Sequence, residues 1–366
     1  MSPIRAVIDL EALRANLRCV RALAPRSPVM AVIKANAYGH GALRVAAALE
    51  TVSVDAYAVA RLDEALQLRA AGIQRPILLL EGVVSTAELA RAAQHALQIV
   101  LHDPSQLAWL AEYRGAHRFI AWLKVDTGMN RLGFRPEAVA AVRAQLATLH
   151  TPLAELRVMT HLARADEPDC AMTGEQLARF DSVIKEFGAS ASTTAPAYSI
   201  ANSAGAFIWP AARRGWLRPG ISLYGASPTS SRAAVDFGLA PVMSLESEVI
   251  ALRVVPRGET VGYGGTWRAA RDSRIAIVAG GYGDGVPRHL PSGSPISIAG
   301  RRAPLVGRVS MDMIAVDVTD LSDVRVGSAV QFWGKEIAVD DIATAAGTIA
   351  YEVLCGLAPR VPVVER

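Results

Sequence analysis

Across the first two thirds of the chain, short apolar runs alternate with longer Ala/Leu/Arg/Glu segments of helical period, and this alternation limits the fold more than any other feature. Strands are expected at Val29–Ile33, Ala56–Val59, Ile77–Leu80, Ile99–Leu101, Phe119–Val125, Leu156–Thr160, Ala197–Ile200 and Trp216–Arg218. Helical patterns lie between them, for example Leu62–Ala71, Thr86–Gln94 and Glu175–Glu186. Strands separated by helices pair in parallel through right-handed crossovers. Eight of them in about 200 residues fit a (β/α)8 barrel, although a doubly wound sheet shares the alternation.

From about Leu239 the texture changes. Val249–Val255, Arg274–Val278, Ile296–Ile298, Met313–Val318 and Ala329–Trp333 are short Val/Ile-rich runs separated by Gly, Pro and Asp, which reads as a mostly β domain. The connection is the Ser/Pro/Ala-rich stretch Ser227–Phe237. The expected class is therefore α/β: a barrel over residues 1–235 followed by a mostly β domain over 236–366. Ala6–Asp9 makes one strand too many for the barrel, so residues 1–10 are expected to pair with the second domain.

The 366 residues are 51% hydrophobic and 20% charged, enough for a core without disulfide or metal staples. Lys plus Arg number 38 against 34 Asp plus Glu, and the resulting +4 is scattered rather than blocked. Nucleic acid is not an expected partner, whereas a small anionic ligand suits this mild bias. Cys19, Cys170 and Cys355 lie far apart and match neither a zinc pattern nor a disulfide framework. No metal is expected, and the compartment is expected to be the reducing cytoplasm. Arg5, Asp9 and Glu11 interrupt the N-terminus before an export signal can form, and no membrane association is expected.

The chemistry begins at Lys34-Ala35-Asn36-Ala37-Tyr38-Gly39-His40-Gly41, directly after the Val29–Ile33 strand. In a barrel this is the C-terminal mouth, where active sites are built. A lysine at such a strand end can lose water contact and have its pKa lowered, as a Schiff-base amine requires. Gly39 and Gly41 permit close backbone approach, and Tyr38 and His40 can donate to an anion.

This octapeptide resembles the pyridoxal-phosphate attachment motif of the alanine racemases. The resemblance continues, in family order, through Lys124–Gly133, His161–Asp166, Arg218–Gly225, Val261–Thr266, Gly281–Arg288, Gly307–Asp312 and Tyr351–Cys355. It implies that Lys34 carries pyridoxal 5'-phosphate. It implies phosphate donors at Tyr38, Ser203, Tyr351 and the backbone amides of Gly220 and Ile221. Arg218 resembles the arginine that faces the pyridine nitrogen, with His161 packed beside it. A guanidinium has no acceptor, so it donates to an unprotonated ring nitrogen and weakens the ring as an electron sink. That favours racemisation over transamination. Arg131 resembles a residue that binds near the cofactor phenolate and the substrate carboxylate, and Lys124 resembles a lysine carbamylated in many members. Met311 and Asp312 resemble residues flanking the substrate, Met311 through its amide. Arg288 and Tyr351 resemble the inner gate of the access channel.

The function thus implied is racemisation of L- and D-alanine by two bases, Lys34 and Tyr263, one on each face. In the family the tyrosine comes from a second subunit, so a head-to-tail homodimer is implied. The product is D-alanine for peptidoglycan, or the role is alanine catabolism. Other readings are a broader-specificity amino-acid racemase, a barrel-type pyridoxal-phosphate decarboxylase and a non-catalytic carrier of the cofactor. The decarboxylases have a Gly-Gly-Gly phosphate loop and an acid at the ring nitrogen, where this chain offers Arg218. The carriers lack the second domain that bears Tyr263. Two departures from the family pattern are Gly262, where serine is frequent, and Gly283-Asp284-Gly285-Val286, where Ala-Asp-Gly-aromatic is commoner.

Overall fold

The computed structural model describes residues 3–151, 153–188 and 198–366. Strand β1 (Arg5–Ile8) is followed by a barrel series: β2 (Met30–Val32), β3 (Ala56–Val59), β4 (Ile77–Leu79), β5 (Gln98–Leu101), β6 (Ile120–Lys124), β7 (Glu155–Met159) and β8 (Tyr198–Ser199). These seven pair in parallel in chain order. Closure comes from the short segment Trp216–Leu217, which bridges in parallel to Ser199 on one side and Val29 on the other. Met30 N–H donates to Leu217 O at 2.8 Å and Val32 N–H to Pro219 O at 3.0 Å. The barrel is thus complete, its eighth staves supplied by the expected Trp216–Arg218 run. Of the expected Ala197–Ile200 strand, Ala197 lies outside the described residues.

The sequence reason for this barrel is plain in its staves. Met-Ala-Val, Ala-Tyr-Ala-Val and Ile-Leu-Leu are buried at every position, as parallel strands covered on both faces must be. Helices such as Leu62–Ala70, Thr86–Gln94 and Ala171–Gly188 form the crossovers.

The second half contains β9 (Met243–Val255), β10 (Thr260–Val261), β11 (Trp267–Arg268), β12 (Ser273–Ala279), β13 (Pro295–Ile298), β14 (Arg301–Val306), β15 (Met313–Asp317), β16 (Ala329–Trp333) and β17 (Val363–Glu365). The sheet order is β12-β15-β14-β13-β16-β9-β1-β17, and β9 also pairs with β12. Six strands therefore close on themselves. β9 is long enough, at 13 residues, to pair with β1 and β16 through its first half and with β12 through its second. β1 runs antiparallel to β9 and parallel to β17, so the N-terminal segment belongs to this sheet and enters the barrel only through the helix Leu10–Leu23. Asn16 on that helix donates to Leu223 O and Ala240 O and accepts from Ala240 N–H, which joins the barrel to the connection. No helix among the described residues is long and apolar enough to cross a membrane. No cluster of three or more His, Cys, Asp or Glu there is placed to hold a metal ion.

Candidate active site

Immediately after β2 the backbone does something rare. Ala35, Asn36, Ala37 and Tyr38 all have φ between 51° and 54°, making a left-handed helical turn without one glycine. At roughly 1–2 kcal/mol per residue, four such residues cost on the order of 4–8 kcal/mol. Conformations of this kind persist only where the surroundings over-determine them. Here the ties are numerous. Ala37 N–H donates to Ile33 O at 2.9 Å, Gly39 N–H to Ala35 O at 3.1 Å and Gly41 N–H to Asn36 O at 2.9 Å. Ala35 N–H reaches the Glu64 carboxylate at 2.6 Å, and Asn36 accepts from Ala42 N–H at 2.9 Å. Gly39 serves close packing: a Cβ there would lie 2.3 Å from Leu354 O, on the helix Ala350–Cys355 that bears Tyr351. His40, expected to donate toward an anion, instead faces the carbonyls of Ala37 and Tyr38. This corrects the sequence reading.

Around Tyr38 the mouth is lined with small hydroxyl and amide groups. Ser203, at the start of the helix Ser203–Ile208, accepts from Gly220 N–H at 2.9 Å and from the hydroxyl of Ser222 at 3.0 Å. Ile221 opens the buried 3-10 turn Ile221–Tyr224. A Cβ on Gly220 would stand 2.5 Å from Tyr38 Oη, so the glycine makes room for the phenol. Burial raises the Tyr38 pKa far above its ordinary value, and the hydroxyl remains a donor. The Tyr351 ring lies 5.7 Å from that of Tyr38.

The other wall is cationic. Lys124 ends β6, His161 follows β7, and Arg218 sits in the closing segment. Arg218 is 3% exposed and donates to Thr160 O at 2.7 Å, Ile200 O at 3.3 Å and the Ser199 hydroxyl. Its Nη2 lies 3.5 Å from His161 Nδ1. Burial lowers the Arg218 pKa to about 10. Burial, reinforced by Arg218, Arg131 and Lys34, lowers the Lys124 pKa to about 8. His161 is driven well below its ordinary value by burial and then by the same cations, so it is a neutral acceptor for Arg218. Asp126 raises Lys124 only weakly; its carboxylate accepts from Gly128 and Asn130 N–H at 3.0 Å each and lies 3.7 Å from Arg135. Cations gathered with so little countercharge call for an anionic guest.

Tyr263, Met311 and Arg288 lie in the β domain, and all three are exposed. Tyr263 occupies a turn between Gly262 and Gly264, is 67% exposed, and its hydroxyl has no hydrogen-bond partner among the described residues. A Cβ on Gly264 would lie 3.4 Å from Arg308 Nη1, which places that guanidinium against the tyrosine's turn. Met311 O accepts from Gly283 N–H at 2.9 Å. Arg360 ties this loop down by bridging Asp284 at 2.8 Å and Asp312 at 2.7 Å. The structure thus gathers Lys34, Tyr38, Lys124, Arg131, His161, Ser203, Arg218, Gly220, Ile221 and Tyr351 at one barrel mouth. Among the described residues no hydrogen bond, ring contact or ion pair joins Tyr263, Met311 or Arg288 to that group. Glu64 and Arg360 escaped the sequence reading, and Ser222 and Tyr224 stood inside the Arg218–Gly225 motif without an assigned role.

Fold and site together define a two-domain barrel enzyme built to hold an anionic ligand against a strand-end lysine. Two family models match the chain: the alanine racemase N-terminal domain over residues 8–228 and the alanine racemase C-terminal domain over residues 242–365. An alanine racemase of Shewanella baltica is 45% identical over 365 residues, covering 99% of both chains. One from Yersinia pestis is 45% identical over 361 residues, covering 99% of this chain and 98% of that protein. Among solved structures, the biosynthetic alanine racemase from Pseudomonas aeruginosa superposes with a TM-score of 0.95 at 43% identity, over the full length of both chains. The alanine racemase from Acinetobacter baumannii gives 0.93 at 39%, again over both full lengths. The chain belongs to the alanine racemase family.

Proposed function

We propose that this protein interconverts L- and D-alanine with pyridoxal 5'-phosphate seated in the barrel mouth. The observation that carries the reading is the buried Arg218 within a cationic cluster beside Lys34. The residues fit the cofactor. Gly220 N–H and the Ser222 hydroxyl donate to Ser203 and so orient it, leaving the Ser203 hydroxyl, Tyr38 and the Ile221 amide as donors for a phosphate, in a cradle that a Cβ on Gly220 would fill. Arg218, a donor without an acceptor, suits an unprotonated ring nitrogen, and no acid, as a decarboxylase reading requires, is among its hydrogen-bond partners in the described residues. When bound, the pyridoxal ring supplies an electron sink that acidifies the Cα hydrogen of the substrate.

The roles of the chain's own residues follow. Lys34 would hold the cofactor through Nζ and, once the substrate amine has taken that place, its freed Nζ would move a proton on one face of Cα. Tyr263 moves a proton at Oη on the other. Arg131 binds the substrate carboxylate, and the Met311 amide supports it. Exposure of Tyr263, Met311 and Arg288 on one domain supports delivery of these groups to a second subunit in a head-to-tail homodimer. The barrel lies before and the long β9 after the turn Ala234–Phe237, which supports a domain division in that connection. Three separate free cysteines support a cytoplasmic location. The reaction would serve either a supply of D-alanine for peptidoglycan or alanine catabolism.

The test is a racemase assay across several amino acids, with borohydride reduction and peptide mapping of the cofactor adduct. Alanine should be the fastest substrate and Lys34 the labelled residue. Label on another lysine, or release of carbon dioxide instead of inversion, would refute the proposal.

Lys124 should be carbamylated. A pKa of about 8 leaves a useful fraction of neutral amine near neutrality, and the cations around it favour an anion over an ammonium. At fixed carbon dioxide pressure the 13C-carbamate signal should grow as the pH rises through 8. A signal unchanged by Lys124→Met would count against it.

Tyr351 and Arg288 should confine the substrate to small side chains. Replacing Tyr351 by alanine should raise the activity ratio of serine to alanine by about tenfold, within the 1–3 kcal/mol that a tight pocket discriminates. An unchanged ratio would remove the gate from the model of the site.

A further inference from the structure

We propose that His40 is a positioning residue whose imidazole locks the left-handed turn of residues 35–38 and so fixes where Lys34 and Tyr38 point. The inference rests on the roles proposed above for those two residues.

The geometry is specific. His40 Nδ1 lies 3.0 Å from Ala37 O and 2.9 Å from Tyr38 O. Both are carbonyls and can only accept, so Nδ1 carries the hydrogen and donates to both. The ring is fully buried, and Nε2 has no partner among the described residues. A buried acceptor without a partner is unfavourable, and an apolar side chain would fill the space without it. What the imidazole supplies, and an apolar ring does not, is the Nδ1–H. Burial also holds its pKa down to about 4, so the ring stays neutral and keeps one tautomer at working pH.

A second grip runs through aromatic rings. His40 stacks on Tyr224 with centroids 4.5 Å apart, and Tyr224 packs on Tyr38 at 4.8 Å. Tyr224 Oη donates to Val32 O at 2.9 Å, which pins the stack to the last residue of β2. The histidine therefore holds Tyr38 by its carbonyl and, through Tyr224, by its ring. At the other end of the turn, the Glu64 carboxylate holds Ala35 N–H and also accepts from Ala60 and Arg61. Lys34 directly precedes the end of the turn that Glu64 holds. The turn has no glycine to make its backbone conformation cheap, so external hydrogen bonds must select it.

The test compares His40→Phe, which keeps a ring without the donor, with His40→Asn, whose amide nitrogen can occupy the Nδ1 position. A displacement of about 1 Å in a reacting group costs on the order of 100-fold. In His40→Phe, kcat should fall by about that factor with KM for alanine little changed, and pyridoxal phosphate should dissociate at least tenfold faster, read from its absorbance. In the apoprotein, hydrogen exchange should accelerate in the peptide covering residues 34–41 and not elsewhere. His40→Asn should recover about tenfold of the lost kcat.

Should His40→Phe fail to fold, His40→Gln against His40→Asn decides, because glutamine carries its amide one bond farther and misses the Nδ1 position. Asparagine should then exceed glutamine about tenfold. Equal kcat for that pair overturns the inference. So does a folded His40→Phe with wild-type kcat and cofactor release. Label on a lysine other than Lys34 in the wild type refutes the parent reading instead, so the two failures are distinguishable.

Discussion

Tyr263→Phe should abolish solvent exchange of the Cα hydrogen of L-alanine and leave that of D-alanine largely intact. Enantiomers have equal free energies in achiral water, so the substitution must slow racemisation equally in both directions at the level of kcat/KM. Racemisation rates therefore cannot assign a base to a face. Exchange with deuterated solvent can, because it needs only one working face. On the proposed assignment Lys34 serves the D-face and Tyr263 the L-face. Loss of a positioned general base costs about 10²–10⁴-fold, which mass spectrometry resolves easily. The Arg308 guanidinium, set against the Gly262–Gly264 turn, is a cation this chain itself places beside the turn that carries Tyr263. Cofactor absorbance must stay normal in the variant. Equal residual exchange of both enantiomers would show that Tyr263 is not the opposite-face base.

Legibility in the sequence followed the physics of each element. The barrel staves were visible because strands buried on both faces are continuous apolar runs, and only their ends differ by a residue or two. β14 was not visible. Its sequence Arg-Arg-Ala-Pro-Leu-Val buries Ala303, Leu305 and Val306 and exposes Arg301, Arg302 and Pro304, so two arginines and a proline mask the alternation. β17 was hidden for a related reason, since all three of its residues are exposed and only pairing with β1 makes it a strand. At the site, the strand-end lysine was legible because its position follows from β2 alone. The left-handed turn after it was not, because Ala-Asn-Ala-Tyr has no glycine to announce positive φ. The direction in which His40 points depends on that turn, which explains why its partners were misjudged. Glu64 meets the turn only through tertiary packing, with nothing local to mark it, and Tyr224, although inside the Arg218–Gly225 motif, has a role that only packing reveals.

Lys34→Ala should give the mirror result: exchange of D-alanine collapses, and that of L-alanine persists through Tyr263. The expected loss on the D-face is again about 10²–10⁴-fold, measured per mole of bound cofactor because the covalent attachment is lost as well. Retention of the cofactor then depends on the remaining donors, namely Arg218, Tyr38, the Ile221 amide and Ser203, which Gly220 N–H orients. The variant also removes one of the cations that lower Lys124, so the pKa of Lys124 should rise toward its ordinary value. Carbamate at Lys124 should consequently require a higher pH than in the wild type. Lys34 is half-buried and opens on the mouth, so truncation leaves a channel from solvent to the face it served. Methylamine or ethylamine added at high concentration should enter that space and restore D-face exchange in proportion to its free-base fraction. Rescue that tracks the amine's neutral form identifies the missing function as an amine base at that position. If Lys34→Ala and Tyr263→Phe instead depress exchange of both enantiomers alike, with cofactor bound in each, the two residues do not work on opposite faces and the two-base proposal fails.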